Sequence, residues 1–234
     1  MRKIDDGDTV SVIMTVHNGE KYLHQSINSI LSQTRKVDEI IIVNDGSTDG
    51  TSDVLAQFND KILVLNQEKS GIAAGWNRGV QSATGNYISF LDSDDYWLAD
   101  KIVRQLETLR SKTGTTISFG HVKQFYSPEL SAEERAVKRC PENPEPGFSS
   151  GTMLIKKQDF MSVGLFNPKW TKGIFSDWFL RAKDLDLSMH MDKTTFLYRR
   201  IHLNNHGILK REKYNDYVRM LKESLDRRRS ENKR

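Results

Sequence analysis

The 234-residue sequence has a single cysteine, Cys140, five prolines, and no apolar run near the roughly 20 residues that a membrane-spanning helix needs. One thiol excludes an intrachain disulfide and any multi-cysteine metal site, so Cys140 reads as an incidental loop residue. The opening stretch, Met1-Arg2-Lys3-Ile4-Asp5-Asp6-Gly7-Asp8, lacks the apolar core of a secretory signal, and the expected location is the cytoplasm. No glycine-rich, lysine-bearing phosphate loop follows the first strand-like segment, which ranks a nucleotidyltransferase low.

What is present fits a soluble globular protein: 37% of residues are hydrophobic and 28% charged. The length suits one large α/β domain with an appendage. The formal charge of +4 is modest, but Arg227-Arg228-Arg229 and Lys233-Arg234 gather basic residues at the end. These read first as a solvated helix end and secondly as a peripheral contact with anionic lipid. No nucleic-acid partner is expected.

From Val10 to about Gly120, short β-branched runs alternate with amphipathic stretches, the pattern of βα units around a mainly parallel, Rossmann-like sheet flanked by helices. Expected strands are Val10 to Val16, Glu39 to Val43, Lys61 to Leu65, Asn86 to Leu91 and Thr115 to Phe119. Expected helices run from about Glu20 to Gln33, from Asp49 as cap to Phe58, from Ile72 to Ser82, and through Ile102, Val103, Leu106 and Leu109. Between His121 and Phe148, four prolines and many charges predict a long irregular connection. Strands at Gly151 to Ile155 and Thr194 to Tyr198 and a helix at Phe175 to Lys183 follow. Tyr214, Tyr217, Val218, Leu221 and Leu225 then mark a C-terminal amphipathic helix whose stripe must cover the domain body or a second subunit.

In open α/β sheets, ligands gather at the carboxyl ends of the strands. Polar clusters stand at three such ends: Thr15-Val16-His17-Asn18-Gly19, Asn44-Asp45-Gly46-Ser47-Thr48-Asp49 and Asp92-Ser93-Asp94-Asp95. The last places three carboxylates within four residues, and like charges that close call for a cation. Oxygen ligands favour a hard ion, and Mg²⁺ is commonly shared between carboxylates and substrate phosphates. The competing reading is an acidic turn in which Asp94 or Asp95 caps the next helix.

Val12 to Glu20, Ile42 to Asp49, Gly71 to Gly79 and Phe90 to Asp95 occur in the order and at about the spacing of family-2 glycosyltransferases, which the chain resembles over most of its first half. The resemblance implies a GT-A fold, a nucleotide-sugar donor, a divalent metal at an Asp-x-Asp motif and inverting transfer. It implies one catalytic domain over 1–207, with a donor half at about 8–120 and an acceptor half at about 148–207, and a helix and basic tail over 208–234.

Carried over by position, Thr15, Val16 and Asn18 line the nucleotide pocket, Gly71 and Asn77 belong to it, and Asp45 bonds the base. A carboxylate accepts from the imide N–H of uracil or thymine, which cytosine lacks, so a UDP- or dTDP-sugar is the expected donor. Asp92 falls to the ribose or the metal, and Asp94 to Mn²⁺ or Mg²⁺, with His202 or His206 nearby. Arg199 or Arg200 would neutralise phosphate. Asp177 resembles the family's acceptor-side base. The acceptor is expected to be a saccharide, a lipid-linked group or a peptide.

Two positions depart from the pattern. Trp76 stands where the family has an arginine, with Arg78 or Lys69 as substitutes, and Ser176 replaces the acid before Asp177. These departures support the alternative of a catalytically inactive nucleotide-binding or protein-interaction module on the same fold.

Overall fold

The computed structural model describes residues 8–203, 205 and 214–231. β1 (Val10–Val16), β2 (Glu39–Asp45) and β3 (Leu63–Gln67) are parallel, with Thr15 opposite Val43 and Asp45 opposite Gln67. β4 (Tyr87–Phe90) lies parallel to β1 on its other side. The Val/Ile runs of β1 and β2 are buried on both faces, as a central parallel sheet requires. β3 begins two residues later than its apolar run suggested, because Lys61 and Ile62 turn back onto the Phe58 carbonyl.

Beyond β4 the sheet becomes mixed. β5 (Tyr96–Trp97), β6 (Ile117–Tyr126), β7 (Glu145–Gly147), β8 (Leu154–Lys156) and β9 (Met189–Ile201) complete an order β3-β2-β1-β4-β8-β6-β9-β5, with β7 on β6. β4 and β8 are antiparallel, whereas β6 and β9 are parallel and β9 carries the edge strand β5. The expected irregular connection from His121 is therefore ordered at both ends: β6 runs on to Tyr126 and β7 returns at Glu145. Charged residues hid this strand, since its outer half is only partly buried.

The helices are α1 (Leu23–Leu31), α2 (Thr51–Ala56), α3 (Ile72–Ser82), α4 (Lys101–Ser111), α5 (Ala132–Ala136), α6 (Lys157–Val163), α7 (Ile174–Asp184) and α8 (Tyr214–Glu231). Glycines in α3 allow it to lie directly on β1: a Cβ at Gly75 would stand 2.5 Å from Thr15, and one at Gly79 2.4 Å from Ile13. α8 docks a face other than the expected stripe. Met220 and Ser224 are buried, and Asp184 at the end of α7 accepts from Arg227 and Arg228, whereas Tyr217, Val218, Leu221 and Leu225 are exposed.

One buried cation stands out in this frame. Lys101 is fully buried, donates to Ser89 Oγ at 2.8 Å, and lies 4.0 Å from the centroid of the Trp97 ring. Burial pushes its amine well below the ordinary lysine value. The unfolded chain therefore holds more protons than the native one up to the normal lysine range, so this group adds stability as pH rises and withdraws it as pH falls. Lys101→Met should raise stability at pH 7 by about 1–4 kcal/mol, the range for replacing buried charge with packed hydrocarbon. Urea midpoints from pH 6 to 10 should also show a flatter pH dependence, and an unshifted midpoint would contradict this.

Candidate active site

The carboxyl ends of β1, β2 and β4 open into a cleft of about 1310 Å³. Thr15, Asn18, Asp45, Asp92, Asp94 and His202 all line it, so most of the expected donor residues converge. Thr15 Oγ1 is buried at its wall with no protein partner. Asn18 adopts φ 55, a left-handed conformation that asparagine tolerates, and its Oδ1 accepts from Thr48 N–H at 2.8 Å. It thereby joins the β1 and β2 loops. His17, not singled out by the sequence, bridges the Asp45 carbonyl at 2.9 Å and Lys69 Nζ at 2.7 Å.

Asp45 is committed to the loop after β3. It accepts from Gln67 Nε2 and Ser70 N–H, both at 2.7 Å, and from Gly71 N–H at 2.8 Å. Burial pushes its carboxyl up, but these three hydrogen bonds together outweigh it and leave the pKa below the ordinary aspartate value. Its contribution to the cleft is thus first the shape of residues 67–71. Gly71 holds φ +90 beside it, a conformation that favours glycine.

The acidic loop leaves β4 where Leu91 N–H bonds the Ile13 carbonyl. One oxygen from each of Asp92, Asp94 and Asp95 lies within 4.8 Å of the others. Asp92 opens to the cleft, yet the surrounding protein strips its solvation; that effect first, and the Asp94 charge second, push its carboxyl up to about 7. Asp95 is buried, and it caps no helix, because α4 begins only at Lys101. Its Oδ1 accepts from Arg200 N–H at 2.8 Å, tying the loop to β9. Burial, then the charges of Asp94 and Asp92, hold its pKa well above the usual range.

His202, just beyond β9, places Nε2 2.8 Å from Asp94 Oδ2, while Asn205 Nδ2 donates to the Arg200 carbonyl. His206 lies outside the described residues. The two arginines of β9 separate: Arg200 is buried, donates to the Asp94 carbonyl and stacks 4.5 Å from the centroid of the Tyr22 ring, whereas Arg199 lines the cleft. Alternation along a strand sends neighbours to opposite faces, and that decides between them. Tyr22 and Glu129, which no sequence pattern marked, also line the cleft; Tyr22 packs 5.1 Å from the His202 ring, and its hydroxyl bonds Glu129.

The donor set fits a hard divalent cation. Asp92 and Asp94 present oxygens within 4.8 Å of each other, and to the desolvation that chiefly raises the Asp92 carboxyl the Asp94 charge adds a repulsion that a cation would relieve. Asp94 and His202 would hold such an ion, with Asp92 beside them.

Four expected residues do not line the cleft. Val16 is buried, and Gly71 only supports it through Asp45. Asn77 turns away: its Nδ2 donates to the Phe166 carbonyl at 2.8 Å and its Oδ1 accepts from Phe166 N–H at 2.9 Å. Asn77→Ala should therefore cost about 2 kcal/mol in denaturant unfolding, roughly 1 for each hydrogen bond, with UDP affinity unchanged. Asp177 is 3% exposed and accepts from Arg181 Nε at 3.0 Å, whereas Ile174, Phe175 and Ser176 of the same turn line the cleft. Trp76 packs on Phe90 and Phe166, and Arg78 donates to the Asn66 carbonyl, so neither reproduces the missing arginine.

The sequence matches the family model described as Glycosyl transferase family 2 over residues 11–164, which spans β1 to the end of α6. The chain belongs to this family. An uncharacterized glycosyltransferase of Rickettsia typhi is 40% identical over 209 residues, covering 82% of this chain and 64% of that relative. The putative teichuronic acid biosynthesis glycosyltransferase TuaG of Bacillus subtilis is 41% identical over 108 residues, 44% of this chain and 43% of TuaG. The chain thus spans less than two thirds of the length of either. Residues 1–349 of S. aureus TarS in complex with UDP-GlcNAc superpose with a TM-score of 0.71 at 16% identity, over 92% of this chain and 65% of that one. The same TarS segment in complex with UDP gives 0.66 at 19% identity, over 82% and 60%. At such identities the likeness shows the fold, which is GT-A. Among the described residues of this family-2 chain, no helix is long and apolar enough to cross a membrane.

Proposed function

We propose that this family-2 chain transfers a sugar from a UDP-sugar to an acceptor hydroxyl, with inversion and with the help of Mn²⁺ or Mg²⁺. The observation that carries this reading is the convergence of Asp92 and Asp94, with His202 on Asp94, at the mouth of the β1–β2–β4 cleft. A divalent ion there would neutralise the diphosphate as it leaves. Arg199 adds a cation on the same wall, and the free Thr15 hydroxyl and Asn18 line the nucleotide side. TarS of the same fold has been solved with UDP and UDP-GlcNAc, which favours uridine over thymidine as the donor base.

The acceptor hydroxyl must lose its proton as it attacks, and Asp177 is the proposed base. That role requires the Asp177–Arg181 pair to open towards the cleft. The pair itself, with Ser176 beside it, favours a second reading: an inactive nucleotide-binding module.

Thermal unfolding with UDP, UDP-sugars and dTDP-sugars, each with and without Mn²⁺, tests the donor. UDP with Mn²⁺ should stabilise the native chain by about 2.7 kcal/mol at a hundredfold excess over Kd, and UDP without metal by far less. Equal stabilisation with and without metal would remove the ion from the reading. Release of free sugar from a UDP-sugar would separate the enzyme from the inactive module.

A further inference from the structure

The carboxylates of the cleft come from the β1, β2 and β4 loops, but its lining also includes aromatic rings contributed by a different set of elements. Phe148, directly after β7, is 51% exposed and lines the cleft. Its inner side rests on Phe119 and Phe179, with centroids 5.4 and 5.5 Å away, so the ring is braced. Tyr217, on α8, is 43% exposed and lines the same cleft. It is fixed by close approach to the start of α7: a Cβ added to Gly173 would stand 3.0 Å from Tyr217 Cε1. Gly173, at φ +68, is the residue from which α7 departs, and it precedes the cleft-facing Phe175 and Ser176.

Two half-exposed aromatic side chains in one concavity, each held by its backing, leave apolar surface in water that a ligand would cover. The surroundings restrict the ligand. Gln124, Glu145, Ser149 and Ser176 also line the cleft, and an acyl chain would desolvate these polar groups without bonding them. A pyranose matches both features, since its axial C–H bonds form an apolar face and its rim carries hydroxyls. Building on the glycosyl-transfer reading, we propose that Phe148 and Tyr217 form an aromatic platform that binds a pyranose acceptor, so that α8 is part of the acceptor site.

The experiment titrates methyl β-D-glucopyranoside and methyl β-D-galactopyranoside into the full chain, with and without UDP and Mn²⁺, by saturation-transfer NMR. Glycerol 3-phosphate serves as the polyol that lacks a ring face. At least one pyranoside should bind, and Phe148→Ala or Tyr217→Ala should weaken it about tenfold, in line with a lost aromatic contact. Phe148→Trp should restore affinity where Phe148→Leu does not, which a merely structural role for the ring would not produce. Wild-type pyranoside affinity in Phe148→Ala, or binding of glycerol 3-phosphate alone, would overturn the platform. UDP binding is read separately in every variant: its absence in the wild type would sink the donor reading, and the titration without UDP still decides the platform.

Discussion

Asp94→Ala should abolish Mn²⁺-dependent UDP binding, a loss of at least about a hundredfold in affinity by calorimetry, or roughly 2.7 kcal/mol at 1.36 kcal/mol per decade. Asp94 is the carboxylate that His202 touches and that stands between Asp92 and Asp95 in the loop. Removing it leaves Asp92 only the buried Asp95 carboxylate nearby, which already accepts from Arg200 N–H, so the metal and the diphosphate should be lost together. UDP affinity in the absence of metal should stay within a few-fold, because Thr15 and Asn18 are untouched. His202→Ala should be milder, because it removes one ligand and leaves the Asp92 and Asp94 carboxylates in place. The binding should also follow pH. Asp92 has its carboxyl raised to about 7, so protons compete with the cation below that value, and Mn²⁺-dependent UDP affinity should fall as pH drops from 8 to 6. Full affinity in Asp94→Ala would end the metal assignment.

Asp177→Asn should destabilise the fold by about 3 kcal/mol, which for a chain of this size lowers Tm by roughly 10 °C. Asp177 is buried, and its partner Arg181 reaches further, donating to the Val163 carbonyl at 2.6 Å and the Leu165 carbonyl at 2.8 Å. The pair therefore fixes the turn after α6 to α7, and an amide at 177 leaves the guanidinium with carbonyls but no counter-charge. Urea unfolding with an unchanged m-value measures this. The same variant separates structure from chemistry. Unchanged stability with transfer lost would make Asp177 purely a base, whereas lost stability with transfer retained would remove it from the reaction.

The edge at which the polar residues gather was legible because its signals are local. Thr15, Asn18, Asp45 and Asp92 to Asp95 each follow a short apolar run, and parallel strands must deliver such ends to one edge. Elements were misread where the deciding interaction is distant. The outer half of β6 looked irregular because it is stabilised by pairing with β9, over 60 residues along the chain, and not by its own apolar pattern. α8 shows the same effect: its richest apolar stripe is exposed, and the helix docks through Met220 and the Asp184 pairs with Arg227 and Arg228.

Tertiary structure also gives separate surroundings to residues that the family resemblance grouped together. Asn77 clamps the Phe166 backbone, and Asp177 pairs with Arg181. Asp95 is neither cap nor free carboxylate, since it anchors the acidic loop to Arg200. Sequence alone determined the alternating βα order, the edge at which polar residues gather and the presence of an acidic run among them, because each follows from side-chain type and spacing within a few residues. Only the folded chain decided which carboxylates remain open, which arginine faces the cleft and which aromatics line it, because those outcomes depend on contacts between segments that the sequence holds far apart.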